Sequence, residues 1–142
     1  MRSLRLVTTV CLIGCAGPAL ADDFIPGVWL PTTEACDQAK ADGVAAVLEE
    51  GSLALTAEGL HGYEYHCDFL AVLRGKRTPA WTVTALCEEP GFAFSDLITI
   101  TPRSEGELDL TSLATREGVA EGEMAAPGSL EQYVRCEGVS LP

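Results

Sequence analysis

Cysteine is the most informative of the residue types in this sequence that can do chemistry. The chain has 142 residues and 6 cysteines, of which four follow residue 21: Cys36, Cys67, Cys87 and Cys136. No Cys-x-x-Cys pair is present, which argues against a thioredoxin-like redox activity. An even number of cysteines in an exported chain indicates disulfides, so we predict that all four form structural bridges.

A second group, His61, Glu64 and His66, resembles a set of metal ligands. Strand periodicity places Glu64 and His66 on one face, whereas His61 falls in a turn, and a zinc site needs three or four converging ligands. We therefore predict no metal and no cofactor, and expect His66 to face Glu88 as a surface charge pair. The sequence also contains no Gly-x-Ser-x-Gly motif and no glycine-rich phosphate loop, so an enzyme is the least favoured function.

Three basic residues, Arg74, Lys76 and Arg77, lie together in one predicted turn. They stand out because the chain carries 21 acidic and 9 basic residues, a formal net charge of −12. The turn is either a solvated hairpin tip or a contact for an anionic partner, such as lipid headgroups or an acidic protein surface. The acidity argues against nucleic acid, whose phosphates need clustered lysine and arginine.

Residues 1–21 predict export. Arg2 and Arg5 precede a short apolar run that ends in a small-x-small cleavage site. Cleavage there leaves a net charge of −14 and a single periplasmic or secreted domain of residues 22–142. A Leu-Ile-Gly-Cys sequence leaves a second alternative open, a lipoprotein anchored at Cys15. The apolar run is too short and too interrupted to span a bilayer, so no transmembrane segment is expected.

The rest of the chain shows the alternation that is typical of half-buried strands. The clearest case runs from Tyr63 to Leu73, and a turn-like Arg-Gly-Lys-Arg-Thr-Pro stretch separates it from a second alternating run, Trp81–Cys87. These two runs predict a hairpin. Upstream, residues 53–58 predict another strand and residues 59–62 a turn.

The register of this hairpin follows from placing Cys67 opposite Cys87. The inward-facing pairs are then all apolar: Phe69 with Ala85, Ala71 with Val83, and Leu73 with Trp81. A slip of one residue would oppose apolar and polar faces. Opposite residues of two strands have the spacing of a disulfide, so we predict Cys67–Cys87. The two remaining cysteines give Cys36–Cys136, between an N-terminal helix and the last strand.

A third strand follows the turn at Pro90-Gly91. Its apolar face is predicted to lie opposite that of Trp81–Cys87: Phe94 near Cys87, Ile98 near Val83, and Ile100 near Trp81. Asp96 breaks this face because it would point inward opposite Ala85. A β-bulge at Ser95 and Asp96 is the favoured explanation.

Together these elements predict an all-β fold, an antiparallel meander that closes into a small barrel or an open one. The predicted elements are, in chain order, a strand at 28–30, one short helix over Thr33–Asp42, about five strands over 52–113, a long mobile loop over 114–132 and a strand at 133–136. Thr33 is the predicted N-cap of the helix and Gly43 its C-cap. Closure is favoured because it removes exposed strand edges.

Several short motifs resemble those of small uncharacterised exported bacterial proteins with four cysteines. In order, they are Gly27-Val28-Trp29, Cys36, Tyr65-His66-Cys67, Trp81, Cys87-Glu88-Glu89-Pro90-Gly91 and Tyr133-Val134-Arg135-Cys136. That resemblance implies no activity. The first motif is also similar to the Gly-x-Trp of lipocalins, and the size, export and strand content resemble the small periplasmic lysozyme inhibitors, whose loop motif is not evident here.

Three functions therefore stay open. The favoured one is a non-catalytic acidic β-domain that binds or inhibits another protein, since its charge would steer a basic partner such as a lysozyme. The second is a calycin-like carrier of a small apolar ligand, although large inward side chains would fill so small a barrel. The third is an enzyme of unknown class.

Overall fold

The computed structural model describes residues 24–113 and 129–141. Within these stretches the chain forms eight strands and two helices: β1 (Val28–Leu30), α1 (Thr33–Asp42), α2 (Val44–Glu49), β2 (Ala54–Leu55), β3 (Gly59–His61), β4 (His66–Arg74), β5 (Trp81–Glu89), β6 (Phe92–Ser104), β7 (Glu107–Ser112) and β8 (Ser129–Cys136). Each strand pairs antiparallel with the next, and β8 pairs with β1. The predicted all-β barrel is confirmed, in its closed form. The predicted signal peptide lies outside the described residues.

Side chains fill the interior of the barrel. The inward-facing residues alternate along the strands and include Trp29, Leu55, Leu60, Val83, Ile98, Ile100, Leu108, Leu110 and Tyr133, each buried. An eight-stranded barrel is just wide enough for side chains to fill it. The interior is therefore a packed hydrophobic core.

A second core lies between the barrel wall and the two helices. Every residue of β1 is buried, because Trp29 points into the barrel while Val28 and Leu30 pack on the helical side. Cys36 of α1 and Cys136 of β8 belong to this outer core and form a disulfide across 100 residues, here called the long disulfide. The predicted bridge from the helix to the last strand is confirmed.

The other predicted bridge is confirmed inside the barrel. Cys67 and Cys87 lie directly opposite each other on β4 and β5, with their Cα atoms 3.9 Å apart, and form what we call the short disulfide. Both cysteines are fully buried. The next predicted pair, Phe69 with Ala85, is also correct.

Beyond Phe69 the predicted register is wrong. A bulge at Leu70 shifts the pairing by one residue, so that Val72 faces Val83 and Leu73 faces Thr82. Leu73 points outward and is 67% exposed. The indole of Trp81 is covered instead by Phe24, whose ring centroid lies 5.6 Å away, and by the guanidinium of Arg74 at 5.9 Å.

The bulge predicted at Ser95 and Asp96 is also wrong. β5 and β6 pair without interruption along β5, as the other predicted contacts require. Asp96 therefore points into the barrel opposite Ala85 and is only 4% exposed. The hydroxyl of Ser112, inward on β7, donates a hydrogen bond to Asp96 Oδ2 at 2.6 Å. A buried carboxyl with a hydrogen-bond partner fits the core without a bulge.

The helical region differs from the prediction in two details. α1 has the predicted bounds and Gly43 follows it, but its N-cap is Thr32, whose Oγ1 accepts a hydrogen bond from the amide of Ala35 at 3.1 Å. The second helix, α2, was not predicted. Its six residues carry no side-chain cap, so the usual sequence signal for a helix start is missing.

Two strand boundaries also need correction. β4 begins at His66 and not at Tyr63, and residues 59–61, predicted as a turn, form β3. Within residues 52–113 there are thus six strands. Gly59 makes β3 possible, since a Cβ there would collide with the carbonyl oxygen of Cys67. Residues 129–132 belong to β8 and not to the predicted loop, whose residues 114–128 lie outside the described part.

Candidate functional site

One end of the barrel is strongly acidic. The strand directions bring together Leu30–Pro31, residues 49–53, 61–66, 88–93 and 129–132 at this end, which we call the acidic end. It carries six carboxylates: Glu49, Glu50, Glu64, Glu88, Glu89 and Glu131. Its described residues include no lysine or arginine. The described residues of this end therefore carry charge of one sign, apart from any proton on its histidines.

The basic residues of the described chain lie mostly at the opposite end. Five of the six described lysines and arginines are there: Arg74, Lys76, Arg77, Arg103 and Arg135. Carboxylates also lie at this end. Arg103 Nη1, for example, is 3.7 Å from Asp109 Oδ1. The basic residues of the described chain are thus concentrated at the end opposite the acidic end.

A cleft of about 380 Å³ opens at the acidic end. Its lining residues include three acidic residues, Glu49, Glu64 and Glu89, and two aromatic ones, Tyr63 and Tyr65. Apolar side chains complete the lining: Leu48, Leu53 and Pro90. A second cleft, of about 530 Å³, lies across the segment of residues 51–53 and is walled by the start of β8.

Tyr65 is held rigidly at the edge of the cleft. Its hydroxyl lies 2.9 Å from Sγ of Cys67 and 3.5 Å from Sγ of Cys87. Disulfide sulfurs carry no hydrogen, so the hydroxyl is the donor in both contacts. The ring also packs against Phe94, with 6.5 Å between centroids. The short disulfide therefore fixes one wall of the cleft.

The adjacent turn presents Tyr63 and Glu64 to solvent. The amide of Gly62 donates to the carbonyl oxygen of Tyr65 at 2.7 Å, which closes the turn. A Cβ at Gly62 would lie 2.6 Å from Leu53 Cδ2, so glycine is needed for this close approach. Tyr63, at the apex, is 69% exposed. Its exposed side chain is available to a partner that enters the cleft.

The opposite wall of the cleft is set by the end of α2. Glu49 is exposed there, and the neighbouring Glu50 accepts a hydrogen bond from Gln38 Nε2 of α1 at 2.8 Å. α1 is in turn bonded to the barrel by the long disulfide. The cleft is thus assembled from three chain segments that are each fixed by a disulfide or a tight turn.

The two histidines lie opposite each other beside the acidic end. His66 Nε2 is 3.3 Å from Glu88 Oε2, and these residues face each other as predicted. His61 Nε2 is 3.0 Å from Thr56 Oγ1. Burial lowers the pKa of His61 below the ordinary histidine value, against the opposing effect of Glu58. In residues 24–113 and 129–141, no group of three or more His, Cys, Asp or Glu side chains is arranged to hold a metal ion.

The predicted partner-binding residues Arg74, Lys76 and Arg77 lie together, but away from the cleft. All three are exposed in the β4–β5 turn, at the opposite end of the barrel. Their proposed contact with a partner stays a prediction. The cleft itself was not predicted from the sequence, because its walls come from segments with no common pattern.

No family model, curated protein or solved structure matches the chain. In the part of the chain that the structure describes, no helix is both long and apolar enough to cross a membrane. The chemistry of the cleft is therefore the basis for assigning a function. Carboxylates beside tyrosine rings suit a cationic group with an apolar stem, through charge and cation–π contacts.

Proposed function

We propose that the protein is a non-catalytic extracytoplasmic domain that binds a basic protein at its acidic end. The observation that carries the proposal is the cleft, whose described lining includes Glu49, Glu64 and Glu89 together with Tyr63 and Tyr65 and contains no lysine or arginine. A lysine or arginine side chain of a partner would place its charge among the carboxylates and its stem on the rings. The two disulfides support an oxidising compartment.

A carrier of apolar ligands is supported less well by the same structure. The inward positions are occupied by buried Trp, Tyr, Leu and Ile side chains, and the clefts lie outside this core with carboxylates in their walls. A hydrophobic ligand would have to displace core side chains or lie beside charge. A cationic side chain of a partner protein displaces no core side chain and is attracted by the carboxylates.

The test compares two double variants that change the net charge equally. Glu64→Lys with Glu89→Lys reverses charges at the cleft, whereas Glu105→Lys with Glu137→Lys reverses exposed charges at the other end. Binding is measured against a basic lysozyme, by titration and by inhibition of its activity, and by capture from periplasmic extract at low and high salt. We expect the cleft variant to weaken binding roughly tenfold or more, because electrostatic steering is lost.

The control variant should retain binding, and high salt should weaken the wild-type complex. Equal losses in the two double variants would mean that only net charge matters, and would contradict a binding site at the acidic end. Capture of a partner that neither salt nor the cleft variant affects would contradict the proposal as well.

A further inference from the structure

The β4–β5 hairpin has a composition unlike the rest of the described chain. From Phe69 to Cys87 no acidic residue occurs, in a protein with 21 of them. The tip between the strands carries Arg74, Lys76 and Arg77, and all three side chains are exposed. Among the described residues, neither Lys76 nor Arg77 forms an ion pair. Within residues 69–87 every charged side chain is therefore basic.

Large apolar side chains are exposed beside these cations. The bulge in β4 turns Leu70 and Leu73 outward, and they are 56% and 67% exposed. Every strand of the barrel is already paired on both edges, so pairing with another chain does not explain them. Exposed leucines next to basic residues are the means by which peripheral proteins contact a bilayer, because the apolar groups enter the interface and the cations meet anionic headgroups.

The N-terminal part of the chain joins the fold at the same end. Phe24 and Ile25 are buried, and Phe24 packs against Trp81, the first residue of β5. Phe24, the first described residue, therefore lies beside the hairpin tip and adds an apolar ring under it.

We propose that the tip of the β4–β5 hairpin docks onto an anionic phospholipid surface. Arg74, Lys76 and Arg77 contact the headgroup phosphates, and Leu73 enters the interfacial region. This contact is independent of the proposed binding of a basic protein, since the two surfaces lie at opposite ends of the barrel.

The experiment measures flotation of the exported protein with two kinds of vesicle, phosphatidylcholine alone and phosphatidylcholine with an equal part of phosphatidylglycerol. We expect binding to the anionic vesicles only, and weaker binding at about 0.2 M salt. Lys76→Glu should lower the partition coefficient roughly tenfold, and Leu73→Ser should lower it as well. Circular dichroism checks that each variant is folded.

Lys40→Glu is the matched control, because it changes the net charge equally at an exposed lysine on α1, away from the hairpin. We expect its partition coefficient to stay within about twofold of the wild type, since separated surface charges are screened. Equal losses in Lys76→Glu and Lys40→Glu overturn the proposal, as does the absence of binding to anionic vesicles. Wild-type binding by Leu73→Ser overturns the apolar contact. Retention on heparin without vesicle binding assigns the tip to another polyanion and overturns the lipid proposal.

Discussion

Replacing Ser112 by alanine would remove one hydrogen bond from inside the barrel. The Ser112 hydroxyl donates to Asp96 Oδ2 at 2.6 Å, and the two residues are 9% and 4% exposed. A hydrogen bond to a carboxylate contributes about 1.5–3 kcal/mol to stability. We therefore expect Ser112→Ala to lower the free energy of unfolding by about 2 kcal/mol.

A matched control is available on the neighbouring hairpin. Ser104 donates to the carboxylate of Glu107 at 3.0 Å, which is the same chemistry, but both residues are exposed. Water can replace that hydroxyl, so Ser104→Ala should change the free energy of unfolding by no more than about 0.5 kcal/mol. The difference between the two variants isolates the effect of burial.

The assay is equilibrium unfolding in urea with the disulfides intact, followed by tryptophan fluorescence. Trp29 and Trp81 both lie in the barrel core, so their emission should report loss of the whole fold. Equal free energies of unfolding for Ser112→Ala and Ser104→Ala would refute the reasoning that the Asp96 carboxyl depends on a buried donor. A Ser112→Ala protein more stable than the wild type would refute it too.

Two further predictions concern the disulfides and pH. In the loop-closure model, the long disulfide, which spans 100 residues, stabilises the fold by roughly 4.7 kcal/mol, and the short one, which spans 20, by roughly 3 kcal/mol. All four cysteines are buried, so the packing lost when either pair is replaced is similar. Replacing the long disulfide by alanines should therefore lower the urea midpoint more than replacing the short one, and the reverse order would contradict this. Because burial lowers the pKa of His61, the unfolded chain takes up a proton at higher pH than the folded one. The free energy of unfolding should therefore fall as pH falls through the ordinary histidine range. His61→Gln should make this dependence on pH less steep, and an equally steep dependence in the variant and the wild type would contradict the role of His61.

The parts of the fold that were predicted correctly are those with strict alternation and a short connection. β5 and β6 are joined by a tight turn at Pro90-Gly91, and each keeps one apolar face, so only one register satisfies both strands. The short disulfide follows from the same argument, because Cys67 and Cys87 lie on the apolar faces of adjacent strands. The long disulfide then follows from the number of cysteines.

The errors lie where the alternation of apolar and polar residues does not fix the strand register. Residues 69–73 are all apolar, so alternation cannot show that the extra residue is Leu70 or that Leu73 points outward. Asp96 needed a partner from a strand 16 residues away, Ser112, and that contact depends on the β6–β7 register. The predicted bulge explained the inward Asp96 from neighbouring residues alone, whereas its actual partner lies on another strand.

The candidate site was beyond prediction for a related reason. Glu49, Tyr63 and Glu89 come from three separate segments of the chain, the end of α2, the β3–β4 turn and the end of β5, and only closure of the barrel brings them to one cleft. The hairpin tip was identified from its composition alone, because its cations are adjacent in sequence. Its exposed leucine and the nearby entry of Phe24 required the structure.

The separation of the two ends decides whether both proposed contacts can operate in one molecule. β5 has nine residues, which at about 3.3 Å per residue and a tilt of about 40° span about 23 Å of the barrel axis. The Debye length is about 8 Å at physiological ionic strength. The six carboxylates of the acidic end are therefore nearly three Debye lengths from a bilayer touching the hairpin, so their charge does little to oppose docking. The opposite orientation, with the acidic end against the bilayer, is disfavoured because its carboxylates would be repelled by the anionic lipids. A docked molecule would then present its cleft to basic proteins approaching from solution.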